Sequence, residues 1–389
     1  MWPWVFLFVA IGLVGVFYLG GGYYFSNIIY ETALKSEPSD PADLQRGTIM
    51  QISGKGDDRI IRILPEVDAQ DETKFDDAIV GLVVGESLVV AGPAERRADG
   101  SQERPVLDIV GDRPEKGDAY GLTQDVWLSP DQLGWKTKDI EIRTLDGREF
   151  PAWLVEGDDP RKWAVLTHGI NAARSEMLRM ARSLRRDDYN LLFITYLGDP
   201  GAPEYPDGMV TYGREEWSQV EAAVRYATDE GGRTIVLGGA SHGGAVTLGF
   251  LERSSLAGRI SGVILDAPAS SLRDVIDAAG EFRTLPIGDL PIPESLEDAA
   301  MAVVAFRFDV NFGAIDYTDN EGLIEVPLLT FQGTDDQTVP LAVNDRFMRQ
   351  GSGRDGEYVV ITGADHVLSW NVDRDEYEDA IAEFLKEVD

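Results

Sequence analysis

Cysteine is absent from the 389-residue chain, and histidine and lysine are scarce. Without cysteine there is no disulfide, no thiol nucleophile and no cysteine-ligated metal. The only histidines are His168, His242 and His366, so chemistry that needs an imidazole must use one of these three. No lysine lies between Lys162 and Lys386, which removes lysine as a candidate catalytic base from most of the chain.

Positively charged residues are also few. Lysine and arginine number 35 against 68 aspartates and glutamates, which gives a formal net charge of −33. So acidic a chain repels polyanions, and nucleic acid is therefore disfavoured as a partner. Hydrophobic residues make up 43% of the sequence, enough for an extensive packed core. The length suits a large α/β domain accompanied by smaller parts.

Residues 1–30 contain no charged side chain and are nearly all apolar, aromatic or glycine. About 20 apolar residues span a bilayer, and Trp2 and Trp4 at one end face three tyrosines at the other, as in interfacial aromatic belts. These features predict a transmembrane anchor over residues 1–30. A buried core helix or a cleaved signal peptide is the alternative. Little positive charge follows the segment, which favours a membrane protein whose catalytic part is extracytoplasmic.

Residues 31–120 are predicted to form a linker and a small β-rich module. The sequence "EPSDPADLQRG" is typical of a polar linker. Short strand-like runs follow it, separated by acidic or Gly/Pro-rich turns. They are Arg59 to Leu64, Ile79 to Val84, Ser87 to Ala91 and Val106 to Val110. No residue of this part shows a pattern that points to chemistry.

Residues 121–389 alternate short apolar runs with amphipathic helical patterns. The apolar runs begin near residues 163, 191, 234, 262, 326 and 358. This alternation is typical of an α/β domain with a doubly wound, mostly parallel sheet that helices cover on both faces.

One interval in this part is too long for a single crossover helix. Between Pro268 and Val326 the sequence is mixed helical and apolar, with "LPIGDLPIP" near its middle. Long insertions of this kind often form lids over active sites. We therefore expect an inserted lid over about residues 269–325.

The sequence Gly239-Ala240-Ser241-His242-Gly243 lies between a predicted strand and a predicted helix. A Gly-x-Ser-x-Gly sequence in this context predicts a sharp turn that exposes the serine hydroxyl, with Gly239 and Gly243 leaving room for the close backbone approach. Ser241 is therefore the candidate nucleophile. The alternative is a glycine turn whose serine only caps the helix.

A serine hydroxyl needs a neighbouring base to become nucleophilic. His366 is the candidate base because it follows the last predicted strand, in a loop that can reach over the sheet edge. His242 adjoins Ser241, and adjacent residues in a tight turn tend to point apart. We expect His242 to line the site and to offer its backbone N–H to a developing oxyanion.

The base needs an acidic partner that holds its tautomer. The sequence "GTDDQTVP" follows a predicted strand, and Asp336 takes the position of the acid in the common pattern Gly-x-x-Asp-x-x-Val-Pro. Asp335 and Asp266 are the alternatives. The preferred order along the chain is Ser, Asp, His.

A second backbone donor is expected from the loop after the strand that ends at Thr167. His168 and Gly169 are assigned to support this loop, and the N–H of Ile170 is expected to complete an oxyanion hole with that of His242. Arg174 is expected either to brace the loop or bind a substrate carboxylate, or to be a solvated arginine at a helix start.

Residues 160–389 resemble the α/β-hydrolase-fold serine hydrolases, in particular their membrane-anchored Bem46/ABHD-type and prolyl-oligopeptidase-like branches. The resemblance rests on His168-Gly169, Gly239-x-Ser241-x-Gly243, "GTDDQTVP" and "GADH". Gln332 stands where many relatives have histidine, and His242 where methionine or glutamine is frequent. The β-rich segment is too short for the propeller of prolyl oligopeptidases.

The resemblance implies a Ser–His–Asp hydrolase that forms an acyl-enzyme and uses no metal and no organic cofactor. The apolar lid and predicted anchor favour a small-molecule or lipid ester or thioester with a hydrophobic acyl group. A peptidase or amidase, an acyltransferase and a non-enzymatic binding protein are the alternatives. Haloalkane dehalogenases and epoxide hydrolases place aspartate where Ser241 stands. The oligomeric state is left open.

Overall fold

The computed structural model describes residues 2–38, 45–66, 72–280, 283–285, 288, 290–320, 322–353 and 355–388. The helices described are α1 (Trp2–Ile29), α2 (Leu178–Arg186), α3 (Trp217–Asp229), α4 (His242–Arg253), α5 (Leu272–Gly280), α6 (Glu294–Phe308), α7 (Leu341–Arg349), α8 (Ser369–Val372) and α9 (Arg374–Val388). The strands described are β1 (Gln45–Ser53), β2 (Ile60–Pro65), β3 (Val80–Val84), β4 (Ser87–Ala91), β5 (Glu95–Arg96), β6 (Gln102–Val110), β7 (Ala119–Thr123), β8 (Thr137–Arg143), β9 (Glu149–Val155), β10 (Lys162–Thr167), β11 (Asn190–Ile194), β12 (Thr234–Ala240), β13 (Gly262–Asp266), β14 (Leu328–Gly333) and β15 (Glu357–Ile361).

Strands β1 to β7 form a small antiparallel barrel. Their order is β2-β1-β7-β3-β4-β6-β5, and a further pairing of β2 with β6 closes the ring. Alternate residues of these strands, such as Ile61, Ile63 and Leu82, point into a shared apolar interior. The predicted β-rich module is therefore confirmed. Strands β1 and β7, which were not predicted, complete the barrel.

Strands β8 to β15 form an eight-stranded sheet in the order β15-β14-β13-β12-β10-β11-β9-β8. Neighbours from β15 to β11 are parallel, whereas β9 is antiparallel to both β11 and β8. This confirms the predicted mostly parallel sheet. The carboxyl ends of its parallel strands lie at one edge, where sites of such folds are found.

Helices cover both faces of this sheet, because its strands are apolar on both sides. Along β10, Trp163 and Val165 join one core with residues of α3, α4 and α7. Ala164 and Leu166 join a second core with residues of α2 and α9. Because successive side chains of a strand point to opposite faces of the sheet, the short strand β10 contributes to both cores.

Helices α5 and α6 lie between β13 and β14, within the interval where the sequence predicts a lid. Helix α6 packs along the second half of α1. Tyr18 Oη and Ser295 Oγ are 2.8 Å apart, and Arg307 Nη1 donates to Ser26 Oγ at 2.6 Å. The side chains of Phe25 and Ile29 are buried in the same core as the sheet.

The sequence predicts that residues 1–30 span a membrane. Within the part of the chain that the structure describes, no helix is both long enough and apolar enough to cross a bilayer. The predicted transmembrane helix is therefore not supported. In the second half of the segment, Phe25 and Ile29 are buried in the core that they share with the sheet.

The barrel and the sheet domain share apolar contacts. Ile361, Ala364 and Leu368, from the end of β15 and the loop after it, belong to the same apolar core as the barrel interior. Asn371 Nδ2 donates to the carbonyl oxygens of Ile79 and Gln124, at 2.6 and 2.9 Å. The barrel therefore packs directly against the loop that carries His366.

Candidate active site

Ser241 lies in the turn between β12 and α4, with φ 50° and ψ −119°. This positive φ is unfavourable for a residue with a side chain and is typical of strained functional turns. A Cβ atom on Gly239 would lie 2.6 Å from the carbonyl oxygen of Gly243. Glycine is required there because the backbone folds back so closely, as the sequence motif predicts.

Ser241, His366 and Asp336 form one hydrogen-bonded chain. His366 Nε2 lies 2.8 Å from Ser241 Oγ, and His366 Nδ1 lies 2.8 Å from Asp336 Oδ2. With Nδ1 protonated and donating to the carboxylate, Nε2 is left to accept the serine proton. The sequence singled out these three side chains in three separate loops, and the structure brings them together.

The two alternative acids lie elsewhere. Asp335 is exposed, and its carboxylate accepts a hydrogen bond from Thr334 Oγ1 at 2.8 Å. Asp266 is buried, and its carboxylate accepts from Ser369 Oγ at 3.3 Å. Asp336 alone among these three carboxylates is hydrogen-bonded to His366.

Asp336 is held by its own loop and by Gln332. Its Oδ1 accepts the N–H groups of Thr338 and Val339 at 2.9 and 2.8 Å, and Gln332 Nε2 lies 3.2 Å from its Oδ2. Asn344 Nδ2 donates to Gln332 Oε1 at 2.6 Å, which fixes the orientation of the amide. Gln332 therefore orients the acid, a role that sequence reasoning missed because it treated this position as a neutral departure.

The environment of His366 favours its protonated form. Burial disfavours the imidazolium and lowers the pKa of His366, but the Asp336 carboxylate attracts it and accepts its hydrogen bond. Glu176 and Asp365 add weaker attraction. The balance raises the pKa of His366 above its ordinary value of about 6.5.

The loop after β10 lies against the Ser241 turn. A Cβ atom on Gly169 would be 3.3 Å from Ser241 Cβ, and Ile170 lines the same cavity as Ser241. Gly169 N donates to the buried carboxylate of Glu176 at 2.7 Å, which ties down the loop. His242 is the first residue of α4, so its N–H has no acceptor within the helix.

His168 is buried beneath this loop. Its Nε2 lies 2.9 Å from Asp199 Oδ2 and its Nδ1 lies 2.9 Å from the Gly169 carbonyl oxygen. Tyr196 Oη also donates to that carbonyl, at 2.6 Å. Burial lowers the pKa of His168, but the Asp199 carboxylate outweighs this effect and raises it overall. His168 thus holds the backbone of Gly169 in place.

The side chain of His242 is buried between Tyr196 and Tyr212 and points away from His366, toward Glu216. His242 Nε2 lies 3.6 Å from Glu216 Oε1. Burial raises the pKa of Glu216, but His242 and hydrogen-bond donors such as Thr211 and Tyr205 outweigh it and hold the pKa at about 2. Sequence reasoning did not single out Glu216, because no local pattern marks it.

Arg174 begins a short 3₁₀ helix before α2. Its guanidinium carbon lies 4.2 Å from the ring centre of Trp153, a cation–π contact that holds it against β9. Arg174 is half-buried beside β9, and its role toward the loop or a substrate stays a prediction.

A cavity of about 250 Å³ adjoins Ser241. Its lining is mostly apolar and includes residues of α1, α5 and α6. Its polar lining residues include Gln337 and Thr338 as well as Ser241 and His242. Among the described residues, no group of three or more histidine, aspartate or glutamate side chains is arranged to hold a metal ion.

Comparison with known proteins gives three findings. The sequence pattern of the alpha/beta hydrolase family matches residues 164–380, and no curated protein sequence matches the chain. Two crystal forms of an esterase from Pyrococcus furiosus have a similar structure, each at 22% identity, with TM-scores of 0.50 and 0.51. The matched region covers 67% of this chain in both cases. It covers 94% of the esterase chain in the first crystal form and 95% in the second. At this identity the likeness concerns the fold.

Proposed function

The chain belongs to the alpha/beta hydrolase family, and from this premise we propose that it is a serine hydrolase that cleaves a carboxylic ester or thioester. The hydrogen-bonded chain from Ser241 through His366 to Asp336 is the observation that carries the proposal. Hydroxyl, imidazole and carboxylate in this order make a nucleophile at neutral pH.

In the first half of the reaction, Ser241 Oγ attacks the carbonyl carbon of the ester. His366 Nε2 takes the serine proton and then gives it to the leaving alcohol or thiol, whose bond to the carbonyl carbon breaks. Asp336 stays ionised and stabilises the imidazolium that forms between the two steps. An acyl group is left on Ser241.

In the second half, His366 Nε2 takes a proton from water, whose oxygen attacks the carbonyl carbon of the acyl-enzyme. The bond from this carbon to Ser241 Oγ then breaks, His366 returns the proton to Ser241 Oγ, and the carboxylic acid leaves. The backbone N–H groups of Ile170 and His242 stabilise the oxyanion in both halves. The contact between Gly169 and Ser241 supports this assignment, and so does the position of His242 at the start of α4. One such donor is typically worth about 3 kcal/mol in the transition state.

Labelling with a fluorophosphonate probe tests the proposal. The wild type should become covalently labelled and should hydrolyse p-nitrophenyl esters, and Ser241→Ala should lose both properties. Ser254→Ala is a matched control, since Ser254 is a buried serine at the end of α4 that donates to Glu221 at 2.7 Å. Labelling that survives in Ser241→Ala, or that is lost in Ser254→Ala alone, contradicts the proposal.

We also propose that α1 holds the protein at a lipid surface, as a membrane-associated and extracytoplasmic enzyme. Exposed apolar side chains of α1, such as Phe8, Val16 and Leu19, support this proposal. The full chain should float with phosphatidylcholine vesicles in a density gradient, and a Phe8→Ser, Val16→Ser, Leu19→Ser triple variant should stay at the bottom. Equal flotation of the two proteins would refute it.

A further inference from the structure

The cavity beside Ser241 has a wall that comes from the N-terminal segment. Phe25 and Ile29 of α1 line it, together with Thr32 and Ala33 from the π-helical turn that follows. Phe25 and Ile29 are four residues apart, so their side chains share one face of the helix. Both are at most 8% exposed, and that face is turned toward the active site.

Helix α6 holds α1 in this position. A Cβ atom on Gly21 would lie 2.8 Å from Leu296 Cδ1, so the two helices approach at glycine. Arg307 Nη1 donates to Asn27 Oδ1 at 2.8 Å, and the Arg307 guanidinium carbon lies 4.2 Å from the ring centre of Tyr23. Polar and apolar contacts therefore fix the helix along its second half.

The turn after α1 is bonded to the catalytic loops themselves. Tyr212 Oη donates to the Ala33 carbonyl oxygen at 2.7 Å. Asn171, directly after Ile170, donates to the Lys35 carbonyl oxygen at 3.2 Å and accepts the N–H of Glu37 at 2.8 Å. The segment from Phe25 to Glu37 is therefore built into the active site and is not a separate appendage.

We propose that α1 and its following turn form one wall of the acyl pocket, which makes Ile29 and Phe25 residues that determine the acyl-chain length of the substrate. The inference rests on the proposed ester hydrolysis and names its substrate class: esters of a medium-length, unbranched acyl chain. The acyl chain lies along Phe25 and Ile29 while its carbonyl carbon meets Ser241.

The chemistry of the cavity suits such a chain. The α1 wall is apolar, and Val275 and Ile276 of α5 add further apolar lining. The charged residues of the lining are Arg283, which is exposed, and Glu297, which is half-buried. A volume of about 250 Å³ accommodates a chain on the order of six to ten carbons, since a water-sized group occupies about 30 Å³.

Chain-length profiles of variants test this assignment. For the wild type, kcat/KM on p-nitrophenyl esters should rise from acetate to octanoate, by up to about fourfold for each added methylene that is buried. Ile29→Trp should fill the pocket and lower the ratio of octanoate to acetate kcat/KM at least tenfold. Ile29→Ala, which adds no bulk, should move the optimum to longer chains.

Leu19→Trp and Leu19→Ala are matched controls, because Leu19 is an exposed residue of the same helix. Both should keep the wild-type profile. Unchanged profiles in both Ile29 variants would overturn the inference, and so would a shift that appears only with alkyl acetates of increasing alcohol length. Fluorophosphonate labelling separates this failure from failure of the proposed function: if Ser241 is labelled and esters are cleaved, only the pocket assignment falls.

Discussion

Gln124, directly after the barrel strand β7, donates a 2.9 Å hydrogen bond to Glu176 Oε1. The other oxygen of the same carboxylate accepts the N–H of Gly169 at 2.7 Å, beside Ser241. One buried carboxylate thus joins the exit of the barrel to the loop that is assigned to the oxyanion hole. Gln124 and Glu176 thus form one link between the barrel and the loop beside Ser241.

Glu176→Ala should lower kcat about 10- to 100-fold and change KM much less. The variant leaves the buried Gly169 N–H without its acceptor, at a cost of about 1–3 kcal/mol, and frees the loop that presents the Ile170 N–H. Steady-state kinetics on a p-nitrophenyl ester measures the changes in kcat and KM separately. Glu215→Ala, which removes an exposed carboxylate, is the control. A rise in KM at constant kcat would show that Glu176 serves binding instead.

Asp336→Asn should reduce kcat/KM by about four orders of magnitude, because an amide no longer selects the productive tautomer of His366 or stabilises its imidazolium. Asp335→Asn should leave activity nearly unchanged, since that carboxylate is exposed and turned toward Thr334. Asp266→Asn should cost far less than Asp336→Asn. If Asp266→Asn is the most damaging of the three, the assignment of the acid is wrong.

The acidic limb of the kcat/KM profile should lie above about pH 6.5, because the pKa of His366 is raised and only neutral His366 accepts the serine proton. Activity is lost as the pH falls through this pKa. Asp365→Asn removes one attracting charge and should move the limb to lower pH, and added salt should move the wild-type limb in the same direction. A limb that does not respond to either change would contradict this account.

Asp125 makes stability depend on pH. Burial raises its pKa to about 6, and Arg179, 4.0 Å away, offsets this only in part. Between about pH 4 and pH 6 the folded state keeps a proton that the unfolded chain has released, so this group's contribution to stability falls as the pH rises.

Between about pH 4 and pH 6 this group lowers the free energy of unfolding by on the order of 2 kcal/mol, and Asp125→Asn should remove that decrease. The variant should therefore have a higher free energy of unfolding at pH 7. Urea titrations at several pH values measure this free energy. Asp207→Asn, an exposed position, should behave as the wild type. A variant that is less stable than the wild type at pH 7 would show that the carboxylate is charged and stabilising there.

In the eight-stranded sheet the sequence predicted strands β10 to β15 and missed β8 and β9. The predicted runs are mostly apolar, so their existence was visible, and the structure ends them within a few residues of the prediction. Strand β8 reads Thr-Lys-Asp-Ile-Glu-Ile-Arg and is largely exposed at the sheet edge, so it has no apolar run to detect. Strand β1 begins at Gln45, within the last three residues of the stretch assigned as linker, and residues 39–44 of that stretch lie outside the described residues.

The residues of the candidate site also divide into those that the sequence predicted and those that it missed. Ser241, Asp336 and His366 stand in local motifs at strand ends, so their meeting follows from the topology of a parallel sheet. Glu176 and Gln332 do not stand in such motifs. Each acts through side-chain contacts with other residues of the folded protein. Their roles depend on tertiary packing, which no spacing rule reveals.

The N-terminal segment shows the limit of reading hydropathy alone. An apolar run free of charge suits a lipid bilayer and a protein core equally well. Here the glycines at the end of the run allow α6 to approach at Gly21, and Phe25 and Ile29 go into the protein. The second half of the segment packs against a helix that is encoded more than 250 residues later.

Ala364 and Leu368, on either side of His366, pack into the barrel interior, so a barrel that opens on warming should release the imidazole from Ser241 even where the eight strands beneath stay folded. The enzyme would then lose turnover before it loses most of its circular dichroism signal, and on cooling it would regain both if the barrel closes again.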